Sequence, residues 1–273
     1  MKLYNNSFWA LLFCATLFSC QSKKENPTES DLVSNEKHTP LTKKDATVKI
    51  DTEISENVSE KSMFVYGIDI SKYQGNEIDF LNIKTDSLGF VICKATEGIT
   101  YTDPNFTHNW TTISENKFIR GAYHFYRCND DPIAQAKNYL SAIANLKNTD
   151  FPPIIDFEEG GIDESQSVEQ IQSSLLIFIN EIEKKIKRKP IIYTDVNTGN
   201  KYLNKSVFSN YPLWIANYNN KKQPDLPTTW ENSKWILWQK SASYKIGSTT
   251  NDFDIFNGSL SNLQKFIKAT DTL

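Results

Sequence analysis

The sequence predicts an α/β fold for residues 63–273, a TIM-like closed barrel of mostly parallel strands. Short runs rich in apolar, β-branched and aromatic residues recur eight times, and several are apolar throughout, as in strands covered on both faces. Helical patterns separate the earlier runs but not the later ones, and eight strands in about 200 residues favour closure. The alternative is an open sheet, but no G-x-G-x-x-G or P-loop motif follows a strand.

The elements follow in order along the chain. The candidate strands span 63–70, 89–95, 118–126, 151–157, 189–194, 211–218, 234–239 and 252–256. The clearest helix is predicted over 163–187, from an apolar stripe at helical spacing that ends in lysines. Aspartates and Pro132 favour a helix start near 130, and this helix would run to about 146. Weaker helical patterns lie at 78–88, 103–117, 197–209 and 259–268, whereas 219–233 and 240–251 lack helical periodicity.

The first 62 residues form two segments outside the barrel. Residues 1–20 contain a lysine near the start, an apolar run from Phe8 to Phe18 and the string "LFSC", which resembles a bacterial lipoprotein signal ending at Cys20. Residues 21–62 contain no Phe, Tyr, Trp or Gly, and so little apolar surface cannot offset the entropy cost of ordering. We therefore expect a lipid anchor on Cys20, a disordered linker and a place in the cell envelope. The alternative is ordinary cleavage that leaves Cys20 an unmodified thiol.

Composition argues against one class of partner. The formal net charge is −3 and the pI about 5.7, without the basic stripe typical of nucleic-acid binders. Cys93 and Cys128 lie in or beside strand-like runs, where a disulfide or two buried thiols would both fit. The three histidines are scattered over linker, helix and strand, which argues against a histidine metal site. We expect a monomer that does not bind nucleic acid.

Polar residues gather where the predicted strands end. In a parallel barrel these ends meet at one face, which is where functional groups lie. The same pattern on most strands therefore predicts a site at that mouth. The residues concerned are Asp69, Ser71, Lys94, Glu97, Tyr123, His124, Asp156, Glu158, Tyr193, Asp195, Trp214, Asn217, Trp238 and Gln239, with Asp252 beside the start of the last strand.

The string "PPIIDFEEGG" at 152–161 is the most acidic of these strand ends. Because side chains alternate along a strand, Asp156 and Glu158 should face one way, and Phe157 and Glu159 the other. Two carboxylates on one face repel, so one of them should hold a proton. An acid beside a carboxylate suits glycosidic cleavage, and nearby aromatic rings suit sugar faces. A salt-bridged pair closing the barrel mouth would explain the same string.

Eight motifs together resemble one family over roughly residues 64–268. The chain is similar, in motif order and spacing, to glycoside hydrolase family 25, the Chalaropsis-type lysozymes or N-acetylmuramidases. The motifs are "YGIDISKYQGNEIDF", "FVICKATEGITYTDPNF", "RGAYHFYRCNDDPIAQAKNYL", "PPIIDFEE", "PIIYT", "YPLWIANYN", "WILWQKS" and "NDFDIFNGSL".

The resemblance implies a (β/α)5(β)3 barrel that hydrolyses the β-1,4 bond between N-acetylmuramic acid and N-acetylglucosamine in peptidoglycan glycan strands. It implies no metal and no organic cofactor. The catalytic set that it implies is Glu158 as general acid with Asp156, Asp69 and Asp252, and the substrate-binding set is Tyr123, Tyr193, Trp214 and Gln239. Asp254 stands where the family usually has Asn, so either Asp252 or Asp254 could face the cleft.

The residues leave several alternatives open. Asp156 could orient the substrate's own 2-acetamido group for attack on the anomeric carbon, or it could attack directly. An i, i+2 pair lies on one side of the cleft, which favours substrate assistance. The rival functions are a wall-binding lipoprotein without catalysis and a glycosidase for chitin-like or other amino sugars. The wall that is attacked, the cell's own or a foreign one, is also open.

Overall fold

The computed structural model describes residues 63–74 and 88–269. The predicted leader at 1–20 with Cys20, the predicted linker at 21–62 and all but the last residue of the helical pattern at 78–88 lie outside the described residues. These predictions therefore stay predictions.

Eight strands close into a barrel, as the sequence predicts. Neighbouring strands pair in the order β1, β2, β4, β5, β6, β7, β8, β9 and back to β1. All pairs are parallel except those of β9, which runs antiparallel to β8 and β1, so the barrel is mixed. A two-residue strand, β3, pairs with the end of β2. The bounds are β1 Val65–Ile70, β2 Phe90–Glu97, β3 Tyr101–Thr102, β4 Ile119–Phe125, β5 Ile154–Asp156, β6 Ile191–Asp195, β7 Leu213–Ala216, β8 Trp235–Ile246 and β9 Thr249–Phe256.

Helices fill the crossovers between the earlier strands. The longest, α3, begins with a capping box in which the side chains of Ser167 and Gln170 each accept a hydrogen bond from the other's backbone N–H. In α2, Asp131 caps the first turn and Pro132 occupies it, as the sequence predicts. The helix bounds are α1 Phe106–Glu115, α2 Pro132–Ala142, α3 Val168–Ile186, α4 Val196–Tyr202 and α5 Leu260–Ala269.

The crossovers follow the five-plus-three pattern as far as the structure describes them. Helices α1 to α4 occupy the crossovers from β2 to β7. Of the β1–β2 crossover the structure describes a 3-10 turn at Lys72–Gln74 and residues 88–89, and the rest falls in the undescribed residues 75–87. The last strands differ from prediction in length, because β8 continues to Ile246 and β9 begins at Thr249. The polar segment 240–251 therefore belongs to a β-hairpin, stabilised by stacking of Tyr244 on Phe253.

Period-two alternation divides the core into an inner and an outer layer. On β5, Ile154 belongs to the cluster that fills the barrel, whereas Ile155 packs with the helices. The inner cluster also contains Leu263 and Ile267 of α5, which packs against the barrel interior from the end of the chain. Each fully buried side chain of this kind stabilises the fold by about 1.5–3 kcal/mol. Helices α1 to α4 pack on the outside of the barrel and α5 packs against its interior, and neither covers the carboxyl ends of the strands.

Candidate active site

A cavity of about 420 Å³ opens at the carboxyl ends of the barrel strands. Its wall contains all eight residues that the sequence implicates in catalysis or substrate binding: Asp69, Tyr123, Asp156, Glu158, Tyr193, Trp214, Gln239 and Asp252. The ninth predicted residue, Cys20, lies outside the described residues. Residues from seven strands or their ends therefore converge on one space, as the parallel barrel requires.

Asp156 and Glu158 reach this cavity from the end of β5. Asp156 is the last residue of the strand and is 9% exposed, and Glu158 follows in extended backbone and is half-buried. Phe157 is fully buried on the opposite side, and Glu159 is exposed. Just beyond, a Cβ on Gly161 would lie 2.1 Å from the Tyr126 carbonyl oxygen, so glycine alone lets this turn pack against β4.

The pKa values of these two carboxyl groups are both raised. Burial raises the pKa of Asp156 well above its ordinary value, and the charge of Glu158 raises it further. Burial also raises the pKa of Glu158, with a contribution from Asp195. Lys94 opposes both shifts because an adjacent cation stabilises a carboxylate. Asp156 Oδ1 is buried and accepts no hydrogen bond from the described residues, which leaves it ready for a donor on a ligand.

Asp69 is fixed by a hydrogen-bonded chain of side chains on the other wall. Gln239 Nε2 donates to Asp69 Oδ2 at 2.7 Å. The hydroxyl groups of Tyr193 and Tyr218 donate to Gln239 Oε1 at 2.9 and 2.6 Å. Because that oxygen accepts both phenols, the amide can present only its NH2 group to Asp69. Burial and the charge of Asp252 raise the pKa of Asp69.

The structure decides which late acid faces the cavity. Asp252 lines the cavity wall and pairs in register with Asp69 of β1. Asp254 lies two residues deeper on β9, is fully buried and accepts a 3.0 Å hydrogen bond from Trp214 Nε1. Asp252 is therefore the late acid open to a ligand.

A sequence model of the family described as "Glycosyl hydrolases family 25" matches residues 68–249. The chain belongs to this family. It is therefore a glycoside hydrolase, and the eight-stranded mixed barrel agrees with that membership.

Several proteins and solved structures are similar to this family 25 chain. The uncharacterized protein YegX of Escherichia coli K12 is 32% identical over 213 residues, 76% of this chain and 74% of YegX. An N,O-diacetylmuramidase from Chalaropsis sp. is 32% identical over 215 residues, 74% of this chain and 98% of that protein. The crystal structure of a bacterial lysozyme from Streptomyces coelicolor superposes with a TM-score of 0.69 at 29% identity, covering 77% of this chain and 100% of that one.

Some cavity residues of this glycoside hydrolase were not singled out from the sequence. Tyr218 follows β7 and is the last residue of the apolar run at 211–218, and Arg127 follows the end of β4, inside the family-like motif that begins at Arg120. Arg127 Nε donates to Glu97 at 2.9 Å, and Lys94 donates to the same carboxylate at 2.6 Å. Arg127 Nη1 also donates to the Gly160 carbonyl oxygen at 2.6 Å, which ties β4 to the turn that follows Glu158. For Arg127, the sequence signal is a basic residue that directly follows a predicted strand.

Other candidate groups lie away from the cavity. His124 faces the helices, fully buried, between Thr96 Oγ1 at 2.8 Å and Gln135 Oε1 at 3.2 Å, and not the barrel mouth. Cys93 and Cys128 are both buried thiols without a disulfide. In the part of the chain that the structure describes, no three His, Cys, Asp or Glu side chains are grouped to hold a metal ion. Within residues 63–74 and 88–269, no helix is both long and apolar enough to cross a membrane.

Proposed function

We propose that this glycoside hydrolase is a muramidase that hydrolyses the β-1,4 bond between N-acetylmuramic acid and N-acetylglucosamine in peptidoglycan. The observation that carries the proposal is the pair Asp156 and Glu158, on one wall of an acid- and aromatic-lined cavity in a family 25 barrel. Relatives named lysozyme and N,O-diacetylmuramidase support the peptidoglycan substrate and the bond.

In the first step, Glu158 acts as the general acid. Burial raises its pKa above the ordinary value, which favours the protonated form that a general acid needs, and its half-buried carboxyl group is the more exposed of the pair. The proton passes to the glycosidic oxygen while the bond from that oxygen to the anomeric carbon breaks. The substrate's 2-acetamido oxygen forms a new bond to the anomeric carbon, which yields a cyclic oxazolinium ion.

Asp156 orients the acetamido group during this attack. Its unpartnered Oδ1 lies where an amide N–H could donate, and that donation favours the ionised carboxylate over the acid. The carboxyl groups of Asp69 and Asp252 lie on the facing wall, where positive charge develops at the sugar ring. Both carboxyls of the pair lie on one strand end, which supports this route over direct attack by Asp156.

In the second step, water attacks the anomeric carbon and the bond to the acetamido oxygen breaks. Glu158, now a carboxylate, takes the proton from water and returns to its starting state. The configuration of the anomeric carbon is retained, because it is displaced twice.

The test compares Glu158→Gln with its neighbour Glu159→Gln on purified peptidoglycan. Glu159 is exposed and points away from the cavity, so its variant controls for the charge change on the same turn. We expect turbidity clearing to be lost in Glu158→Gln and kept in Glu159→Gln, and mass spectrometry to find N-acetylmuramic acid at the new reducing ends.

Three outcomes would contradict the proposal. Clearing by Glu158→Gln at the wild-type rate would remove Glu158 from its role. N-acetylglucosamine at the new reducing ends would show that the enzyme cleaves a different bond. Activity on chitin-like glycans alone would show that its substrate is not peptidoglycan. Sedimentation of the wild-type protein with peptidoglycan, without any cleavage, would favour the wall-binding alternative.

We further propose that the mature chain is a lipoprotein anchored through Cys20, with residues 21–62 as a spacer between the membrane and the barrel domain at 63–273. A spacer would let an anchored enzyme reach glycan strands at some distance from the membrane. Metabolic labelling with a fatty-acid analogue should mark the wild-type protein and not Cys20→Ser. Equal labelling of both proteins would refute the anchor.

A further inference from the structure

We propose that Asp254 is a neutral carboxylic acid that donates a hydrogen bond to Asp69 from inside the barrel, and so acts as a positioning residue for Asp69. The protonation of Asp254 depends only on the folded structure. The consequence for catalysis rests on the muramidase function proposed above.

The location of Asp254 is the first observation. On β9, Asp252 pairs with Asp69 of β1 and Asp254 pairs with Gly67, so Asp254 lies one layer deeper than the two cavity acids. A glycine at 67 adds no side chain in that layer, and the ring of Phe90 fills the space there. Asp254 is 0% exposed, whereas Asp69 lines the cavity. Asp254 therefore cannot touch a substrate, and any effect on the reaction must pass through a neighbour.

The hydrogen bonds of Asp254 are the second observation. Oδ1 accepts from Trp214 Nε1 at 3.0 Å, and Oδ2 is buried without a donor among the described residues. A buried carboxylate oxygen that receives no hydrogen bond is costly. The cost disappears if Oδ2 carries a proton and donates it. The register of β9 against β1 makes Asp69 the diagonal neighbour of Asp254 on the same face, so the carboxyl group of Asp69 is the acceptor for this proton.

The surroundings favour the shared proton on Asp254, the more deeply buried of the two carboxyl groups. Asp69 Oδ2 already accepts from Gln239 Nε2 at 2.7 Å, and it has access to the cavity. Burial raises the pKa of Asp254 well above its ordinary value, with Asp69 as the next cause. Burial and the charge of Asp252 also raise the pKa of Asp69, to about 8, although the bond from Asp254 lowers it.

The other groups around Asp254 agree with this distribution. The titratable groups that face it are Asp69 on β1, Asp252 on β9 and the phenol of Tyr218 after β7. The side chains of Trp214 on β7 and Gln239 on β8 are neutral. Two like charges nearby favour a neutral Asp254.

The consequence for the reaction is an Asp69 carboxyl group held by two donors, Gln239 and Asp254. Such a group keeps its orientation while the substrate passes through the transition state. An amide at position 254 would supply the same donor permanently, whereas an alkyl side chain would supply none.

Difference infrared spectroscopy at pH 7 tests the protonation without any substrate. Wild type minus Asp254→Asn should show the loss of a protonated carboxylic acid band. Asp225→Asn is the matched control, since Asp225 is exposed with a lowered pKa and its removal should delete a carboxylate band. Loss of a carboxylate band in Asp254→Asn would overturn the proposal. If Asp254→Asn does not fold, Asp254→Thr replaces it, because threonine is also neutral. The same loss of a protonated carboxylic acid band is then expected.

Kinetics on peptidoglycan test the positioning role. We expect kcat to fall about 10–100-fold in Asp254→Leu with KM nearly unchanged, and to be restored to within a few-fold by Asp254→Asn. Near-UV circular dichroism verifies that each variant is folded. Wild-type kcat in a folded Asp254→Leu would overturn the positioning role, as would an equal loss in both variants. If the wild-type protein cleaves no peptidoglycan, the muramidase proposal fails while the infrared result still decides the state of Asp254.

Discussion

Gln239 donates a 2.7 Å hydrogen bond to Asp69 across 170 positions of the chain. The bond joins β8 to β1 at the cavity, and the hydroxyl groups of Tyr193 and Tyr218 fix its direction by donating to the amide oxygen. This set of side chains joins residues of β1, β6 and β8 and the segment after β7 at the cavity.

We expect Gln239→Leu to lower kcat on peptidoglycan about 10–100-fold, because it leaves the buried carboxyl group of Asp69 without its donor and an unsatisfied buried polar group costs about 1–3 kcal/mol. The leucine is similar in size and removes the donor to Asp69 together with the acceptor for both phenols. Initial rates of turbidity clearing measure the effect. Gln264→Leu, on the exposed face of α5, is the matched control and should keep wild-type rates. A wild-type rate in Gln239→Leu would show that the bond to Asp69 is dispensable.

Removal of Lys94 should move the alkaline limit of activity to higher pH. Lys94 lowers the pKa of both Asp156 and Glu158, so Lys94→Met should leave Glu158 protonated at pH values where the wild type has lost that proton. The pH dependence of kcat/KM measures the shift. Lys137→Met, on the exposed face of α2, controls for the loss of one positive charge. A shift to lower pH would contradict the proposed electrostatics of the pair.

His124 should make the protein lose stability in acid. Burial lowers its pKa to about 3 from an unperturbed value near 6.5. Below about pH 6.5 the unfolded chain binds a proton that the folded chain does not, so the free energy of unfolding falls by up to about 1.4 kcal/mol per pH unit.

The substitution His124→Gln should remove this acid-dependent part of the loss. Its destabilisation relative to wild type should therefore shrink between pH 6 and pH 4 in urea titrations. His108→Gln is the control, because it removes a histidine that is exposed on α1. A constant difference for His124→Gln would mean that His124 is protonated in the folded state.

Substrate assistance predicts strict dependence on the 2-acetamido group. A glycan in which a hydroxyl group replaces the acetamido group lacks the attacking oxygen and the N–H donor to Asp156 Oδ1. We therefore expect hydrolysis of this glycan to fall below detection, measured by new reducing ends, although it still binds as a competitive inhibitor. Undiminished turnover would favour direct attack by Asp156.

Much of the site could be predicted from local pattern. The apolar run before Asp156 predicts a buried strand, and alternation then places Asp156 and Glu158 on one side and Glu159 on the other, as the structure has them. The strand-end position of Asp69, Tyr193 and Gln239 follows from the same reasoning, because parallel strands end at one face of a barrel. These inferences need only the period of a strand and the direction of the chain.

The sequence predicts less of the structure where a polar segment is ordered by pairing with another segment of the same chain. The hairpin at 240–251 has few apolar residues, and its strands are stabilised by pairing with each other and by the contact of Tyr244 with Phe253. Tyr218 and Arg127 enter the cavity from positions just beyond strand ends, where backbone direction depends on the turns that follow. His124 faces the helices because its strand register, and not its residue type, sets its side.

The sequence by itself determined the strand–helix alternation, the acid pair after β5 and the family, since each depends on residues that are neighbours in the chain. Only the tertiary structure decided that Asp252 reaches the cavity while Asp254 is buried beneath it. Both acids lie on the same face of β9, so alternation cannot separate them. Their depths differ because the register against β1 sets Asp252 beside Asp69 and Asp254 beside Gly67, and burial follows from that pairing.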